Sequence, residues 1–132
     1  MNPSAVDGAP RVVLRAEGAA LLTLAVILYA RVGDSWWLFG ILFLAPDLSL
    51  VGYLSGARTG AIVYNAAHTL VGPILLAAAG LLLPAFIILV PLALIWVAHI
   101  GFDRLVGYGL KYSAGFNFTH LGRIGRDQKL GS

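Results

Sequence analysis

Four apolar stretches divide the chain, and short polar connections separate them. A membrane-spanning helix needs about 20 mostly apolar residues, and each stretch meets or approaches this length. Because the connections hold only a few residues, consecutive helices are expected to run antiparallel. The pattern predicts a single all-α domain, residues 1–132, built as an integral membrane four-helix antiparallel bundle. The predicted elements are helices at about 12–31, 36–54, 59–80 and 84–110, and a cytoplasmic tail at 111–132.

Local sequence features predict where these helices begin and bend. Asp34 and Ser35 precede the second apolar stretch, and Ser or Asp in this position caps a helix amino terminus. Three prolines fall inside or near the predicted helices, where each removes a backbone donor and can kink the helix: Pro46, Pro73 and Pro91. A segment at 113–125, rich in aromatic residues and glycine, is expected to form a loop over the cytoplasmic end of the bundle.

The composition indicates that this bundle is surrounded by lipid. The chain is 59% hydrophobic and 11% charged, whereas a soluble domain has about 25% charged residues, and its mean hydropathy is +0.86. The chain has no cysteine, which excludes disulfides and thiolate metal ligands. The basic residues are scattered and adjoin the apolar stretches, so nucleic acid is not a predicted partner. The predicted partner is the lipid bilayer.

Basic residues are distributed unevenly between the two ends of the predicted helices. One end of the predicted helices has a single basic residue, Arg31, and the negative charge of Asp34 offsets its positive charge. The other end carries the rest: Arg11, Arg15, Arg58, Arg104, Lys111, Arg123, Arg126 and Lys129. Short loops rich in Lys and Arg stay in the cytoplasm. We therefore expect both termini in the cytoplasm, and the chain as a multi-pass protein of the inner (plasma) membrane.

Ionisable residues within the apolar stretches lie at similar depths. With a rise of about 1.5 Å per residue, His68 lies roughly 13 Å from the cytoplasmic end of its helix, and His99 and Asp103 lie roughly 16 and 10 Å from theirs. Asp47 lies in the same half of the second helix. Charged groups at this depth cost at least a few kcal/mol unless they are paired or hydrated. We therefore expect them to face the bundle interior and form one site.

Helical spacing supports this prediction, although a structural role is the competing hypothesis. His99 and Asp103 are four residues apart and share a helix face. With Asp47 they are the predicted catalytic residues. In the structural hypothesis, Asp103 forms an interfacial ion pair with Arg104, and Asp47 caps a broken helix. For Glu17 we favour a structural ion pair with an arginine.

Four motifs in order resemble one known family. They are SWWLFGILFLAPDLS, YNAAHT, WVAHIGFDRLVGYGLKY and FTHLGRIG, and together they resemble the small bacterial membrane proteins grouped as domain of unknown function 4260. The resemblance covers roughly Leu14 to Gly125 and implies a four-helix membrane fold, with no activity attached. Residues within these motifs are also the predicted ligand-binding residues: Tyr64, Asn65, His68, Arg104, Tyr108, Lys111 and His120.

Membrane-embedded catalysis is the function that we rank first. His68, His99 and Asp103 are predicted ligands of a divalent metal, which would activate water or polarise a carbonyl or phosphoryl group. Without a metal, His99 would act as acid and base, oriented by Asp103. The substrate of either mechanism would be lipid-like or hydrophobic.

Two other functions remain open. A binding protein without catalysis would hold haem between the two histidines, or an amphipathic small molecule in an apolar pocket. A transporter or proton pathway ranks last, because one cluster and four helices are too few for alternating access unless the chain forms a homodimer. The substrate or ligand and the identity of the metal are left open by the sequence.

Overall fold

A computed structural model describes residues 8–33, 35–108, 118–119 and 122–123 of the chain. This part is helical apart from one pair of two-residue strands, β1 (Phe118–Thr119) and β2 (Gly122–Arg123), which are antiparallel. The prediction of a helical fold is therefore confirmed. The helices in chain order are α1 (Gly8–Val32), α2 (Trp36–Phe43), a 3-10 helix (Ala45–Ser55), α3 (Ala57–His68), α4 (Val71–Leu82), a short 3-10 turn (Pro84–Phe86) and α5 (Leu89–Leu105).

Three helical segments of the described chain are long and apolar enough to cross a membrane: Gly8–Val32, Trp36–Ser55 and Ala57–Leu82. Many of their large apolar side chains point outward, and Trp37, Leu54 and Leu82 are each more than three-quarters exposed. Exposed apolar surface on this scale requires a hydrocarbon environment. These features indicate a membrane protein. Helix α5, which lies in the fourth predicted helix, has 17 residues and carries more buried residues than any other described helix.

The structure interrupts the predicted helix at 36–54 because of Pro46. Proline has no N–H, so Pro46 cannot donate to the carbonyl four residues before it. Helix α2 accordingly ends at Phe43, and the chain continues as a 3-10 helix from Ala45. The N–H of Asp47, which would bond to the Phe43 carbonyl in a continuous α-helix, bonds instead to Leu44. The carbonyl of Phe43 is therefore left for a partner outside its own helix.

Proline also separates α3 from α4 within the predicted helix at 59–80. Pro73 cannot donate to Thr69, which has an extended backbone (φ −87°, ψ 150°) and ends α3 directly after His68. Pro91 lies in the first turn of α5, where a helix does not need its N–H. Helix α5 begins and ends inside the predicted bounds of 84–110. It ends close to Gly107, whose φ of +94° is a left-handed conformation that favours glycine.

The helices pack as two groups. Helices α1, α2 and α4 lie against α5, and these four form what we call the core group. The 3-10 helix and α3 pack mainly on each other, and we call them the side pair. The backbones of α1 and α5 approach closely at Gly18 and Gly101, where a Cβ on either glycine would meet backbone atoms of the opposite helix. The functional residues described next lie between the two groups.

The turn between α1 and α2 is held by an aromatic cluster. The hydroxyl of the buried Tyr29 donates to the carbonyl of Ser35, and its ring packs against Trp36 and Phe39. The side chain of Ser35 accepts from the N–H of Leu38, as expected for the predicted helix cap. This turn fixes the start of α2 and, through it, the position of the helix end that contacts α5.

Candidate metal centre

Four side chains of the described residues meet between the side pair and α5. Asp47 comes from the 3-10 helix, His68 is the last residue of α3, and His99 and Asp103 are one turn apart on α5. One potential ligand atom from each residue lies within 4.8 Å of the others. His68, His99 and Asp103 are buried, whereas the side chain of Asp47 is 45% exposed. The structure thus brings together the residues that the sequence places at similar depths, and we call them the four-residue cluster.

Five of the six distances between the four potential ligand atoms are close to those of a tetrahedral metal site. The two histidine Nε2 atoms are 3.1 Å apart. Oδ1 of Asp47 lies 3.5 Å from Nε2 of His68 and 3.3 Å from Nε2 of His99. Oδ2 of Asp103 lies 3.3 and 3.2 Å from the same two nitrogens. Ligands around a tetrahedral zinc with bonds of 2.0–2.1 Å are about 3.3–3.4 Å from one another. These five distances match that geometry.

Hydrogen bonds on the far side of both imidazoles determine which nitrogen faces the cluster. Nδ1 of His68 donates to the carbonyl of Tyr64 at 2.9 Å, and Nδ1 of His99 donates to the carbonyl of Phe43 at 2.5 Å. A carbonyl only accepts, so each Nδ1 carries a proton, and a neutral imidazole then directs the Nε2 lone pair inward. Two lone pairs and two carboxylates in such proximity favour a cation between them. A histidine anchored to a carbonyl in this way is the usual arrangement in metal sites.

Aromatic rings fix the planes of both imidazoles. The ring of Tyr64 stacks on that of His68, with centroids 3.7 Å apart and an angle of 8° between the planes. The ring of Phe43 meets His99 edge-on, with centroids 5.2 Å apart. The side chain of Tyr64 also interacts with the carboxylate of Asp103. These contacts leave the imidazoles little freedom to rotate, which is what a preorganised ligand set requires.

The other predicted ligand-binding residues are not among the four ligands. Asn65 is half-buried on α3, one turn before His68. The guanidinium of Arg104 interacts electrostatically with Glu17 of α1. Tyr108 follows the end of α5 and is exposed. Lys111 and His120 lie outside the described residues, as does most of the segment at 113–125 that was expected to cover the site.

Phe43 is the residue of this site that the sequence analysis missed. Its carbonyl accepts from His99, and its ring packs against the same imidazole. The available indication was Pro46, which predicts an unpaired carbonyl nearby but not the donor that pairs with it.

A family model matches residues 11–124, and its description is Domain of unknown function (DUF4260). The chain belongs to this family. The match confirms the family resemblance of the sequence motifs, and it includes all four residues of the cluster. No curated protein and no solved structure matches the chain. The geometry of the site is therefore what indicates a function for this DUF4260 protein.

Proposed function

We propose that this DUF4260 protein is a membrane-embedded metalloenzyme whose metal ligands are His68, His99, Asp103 and Asp47. The observation that carries the proposal is five interatomic distances of 3.1–3.5 Å combined with two Nε2 lone pairs that face the cluster. Two imidazoles and two carboxylates suit zinc among the common divalent metals. The ion would polarise a carbonyl or phosphoryl group and activate water for hydrolysis.

Asp47 provides the exchangeable position that a catalytic metal needs. A catalytic zinc commonly keeps three protein ligands and one site for water or substrate. His68, His99 and Asp103 are buried, whereas Asp47 is half-exposed and lies on a 3-10 helix. The three buried residues would hold the ion, and the half-exposed Asp47 carboxylate would serve as a base beside it.

The proposed reaction is the hydrolysis of an ester. Asp47 accepts a proton from water as an O–H bond breaks. The water oxygen forms a bond to the carbonyl carbon or to phosphorus. The bond to the leaving oxygen then breaks, and Asp47 returns its proton to the leaving group. His68 and His99 keep their Nδ1 protons on backbone carbonyls throughout, so neither serves as the base.

A metal-binding protein without catalysis is the second candidate. The observation that favours it is that the cluster offers four protein ligand atoms, the number that structural zinc sites use. Haem is not retained as a candidate, because carboxylate oxygens lie within 3.5 Å of both Nε2 atoms, where the macrocycle would have to be. Acid–base chemistry without a metal is also less favourable. It would place two N–H groups, or two lone pairs, 3.1 Å apart unless one proton is shared.

The Asp47→Asn variant separates catalysis from metal binding. Wild-type protein purified with zinc is expected to hold about one equivalent and to hydrolyse p-nitrophenyl esters or bis(p-nitrophenyl) phosphate. Loss of a general base lowers the rate by about 10²–10⁴-fold. We expect the variant to lose hydrolysis on this scale, while the three buried ligands retain the ion. Zinc is measured by elemental analysis, and hydrolysis by nitrophenolate release.

Two further variants interpret this result. Asp103→Asn is expected to lose both zinc and hydrolysis, whereas Glu17→Gln, which removes an exposed carboxylate of α1, is expected to lose neither. If Asp47→Asn hydrolyses as fast as wild type, the assigned base is wrong. If the wild-type protein retains zinc but hydrolyses neither probe, a metal-binding protein without catalysis is favoured.

The same proposal places the chain in the inner membrane as a four-helix antiparallel bundle with both termini in the cytoplasm. The contacts between α1 and α5 support the antiparallel direction of these two helices. Arg15 donates to the carbonyl of Leu105, and Gly101 lies against Leu22. The chain has no cysteine, so Ala5→Cys and Leu82→Cys can be labelled singly in intact cells. We expect an impermeant maleimide to label position 82 only. Labelling of position 5 from outside would contradict this topology.

A further inference from the structure

An apolar cavity of about 340 Å³ lies between the side pair and the core group. Its volume falls within the range of about 300–1,000 Å³ that is typical of small-molecule sites. The wall has contributions from both groups, among them Pro46, Ala67, Leu76, Leu92, Ile95 and Trp96. The one polar group among these side chains is the indole N–H of Trp96, which donates to the carbonyl of Ala67. The wall therefore offers a hydrocarbon surface to whatever enters.

The cavity adjoins the four-residue cluster. Pro46 directly precedes Asp47, and Ala67 directly precedes His68. Ile95 lies one turn before His99 on the same face of α5. Three of the four cluster residues thus directly follow, or lie one helical turn from, residues of the cavity wall, and the wall itself is apolar. A site with this division suits a molecule that has a polar head and an apolar tail.

The cavity extends away from the cytoplasmic side in the proposed topology. Its residues on α5 precede His99 by three to seven positions, a distance of roughly 5–10 Å along the helix. The cavity therefore lies at the depth of the hydrocarbon core. Leu44 and Leu48, which are close in the chain to the cavity residues Ala45 and Pro46, are exposed and apolar.

We propose that the cavity holds the hydrocarbon chain of an amphiphile whose oxygen-bearing head binds at the metal centre. This inference rests on the proposed function and names its substrate class, a single-chain ester dissolved in the bilayer. The chain lies along α5 between the two groups of helices. The ester group then lies beside Asp47, where the base is needed.

Two tryptophan variants of α4 test the cavity without touching a ligand. Leu76 lines the cavity, whereas its neighbour Leu75 is 65% exposed on the outer face. Leu76→Trp should fill the space for the chain, and Leu75→Trp adds the same side chain outside it. The probes are dodecanohydroxamic acid and acetohydroxamic acid, which share a metal-binding head and differ in the chain. Binding is followed by the visible absorbance of protein loaded with Co²⁺ in place of zinc.

We expect Leu76→Trp to weaken the binding of dodecanohydroxamate about tenfold, the effect of about 1.4 kcal/mol of lost contact, and to leave acetohydroxamate unchanged. Leu75→Trp should change neither. Partition into the detergent is the same for both variants, so it cancels in the comparison. Equal binding of dodecanohydroxamate by the two variants would overturn the inference while leaving the metal centre intact. Protein that binds no Co²⁺ at all would instead reject the proposed function.

Discussion

The His99→Asn variant is expected to lose its metal and remain folded. An asparagine amide can occupy the position of Nδ1 and keep the hydrogen bond to the Phe43 carbonyl, which continuous packing of α2 on α5 requires. It cannot supply the Nε2 ligand. Loss of a residue that merely supports a metal ligand costs about 10–100-fold in affinity, so loss of the ligand itself should cost at least about 100-fold. Competition with a zinc-sensitive dye measures this change.

Two comparisons make the result specific to the metal centre. Trp96→Phe alters the same helix one turn away and removes the bond to the Ala67 carbonyl, but it removes no ligand, so it should bind zinc like wild type. His68→Asn is the second test, because it can keep the bond to the Tyr64 carbonyl while losing its own ligand atom. Zinc bound with unchanged affinity by both asparagine variants would reject the centre.

Gly101→Val is expected to produce the largest loss of stability. A Cβ at this position would lie 2.8 Å from both the carbonyl oxygen of Gly18 and the backbone nitrogen of Leu22. Backbone atoms of a helix cannot rotate away as a side chain can, so α1 must separate from α5. Overpacking typically costs about 1–3 kcal/mol, and we expect the upper end of this range here. Unfolding in mixed micelles, followed by circular dichroism, measures the change.

Gly40→Val is the matched control for this variant. Gly40 lies in α2, and a Cβ built there meets no atom within 4 Å. The loss of a helical glycine and the gain of a β-branched side chain are common to both variants, so their difference isolates the contact between α1 and α5. We expect the control to change stability by about 0.5 kcal/mol or less. Equal destabilisation of the two variants would show that this contact is not closely packed.

The sequence was sufficient to predict the helical class. It was also sufficient to predict that four residues converge, namely Asp47, His68, His99 and Asp103. Both follow from local rules, namely the length of apolar stretches and the cost of ionisable groups in a membrane. The four residues come from three segments that are far apart in sequence, but their depth can be estimated from helical rise alone. Depth does not give rotation about each helix axis, and so the distances of 3.1–3.5 Å between ligand atoms could not be predicted.

The interruptions of the helices were less predictable. Pro46 and Pro73 each remove one backbone hydrogen bond from a helix. The loss of this bond is compatible with a kinked helix and with an interrupted helix, so the prolines do not predict which of the two forms. A 3-10 helix from Ala45 to Ser55 is also unexpected, because such helices rarely exceed three or four residues. Its contacts with α3 are tertiary. The hydrogen bond from His99 to Phe43 depends on the break at Pro46 and on tertiary packing. The break frees the carbonyl of Phe43, and His99 of the distant helix α5 donates to it.

The exposed apolar residues Leu44 and Leu48, close in the chain to the cavity wall, bear on how the proposed amphiphile would reach the centre. It would arrive by lateral diffusion within the bilayer, and its relevant concentration would be its mole fraction among the lipids. Inert lipid added to a fixed quantity of protein and amphiphile therefore dilutes the amphiphile in two dimensions and lowers the occupancy of the cavity. A water-soluble ligand such as acetohydroxamate does not experience this surface dilution.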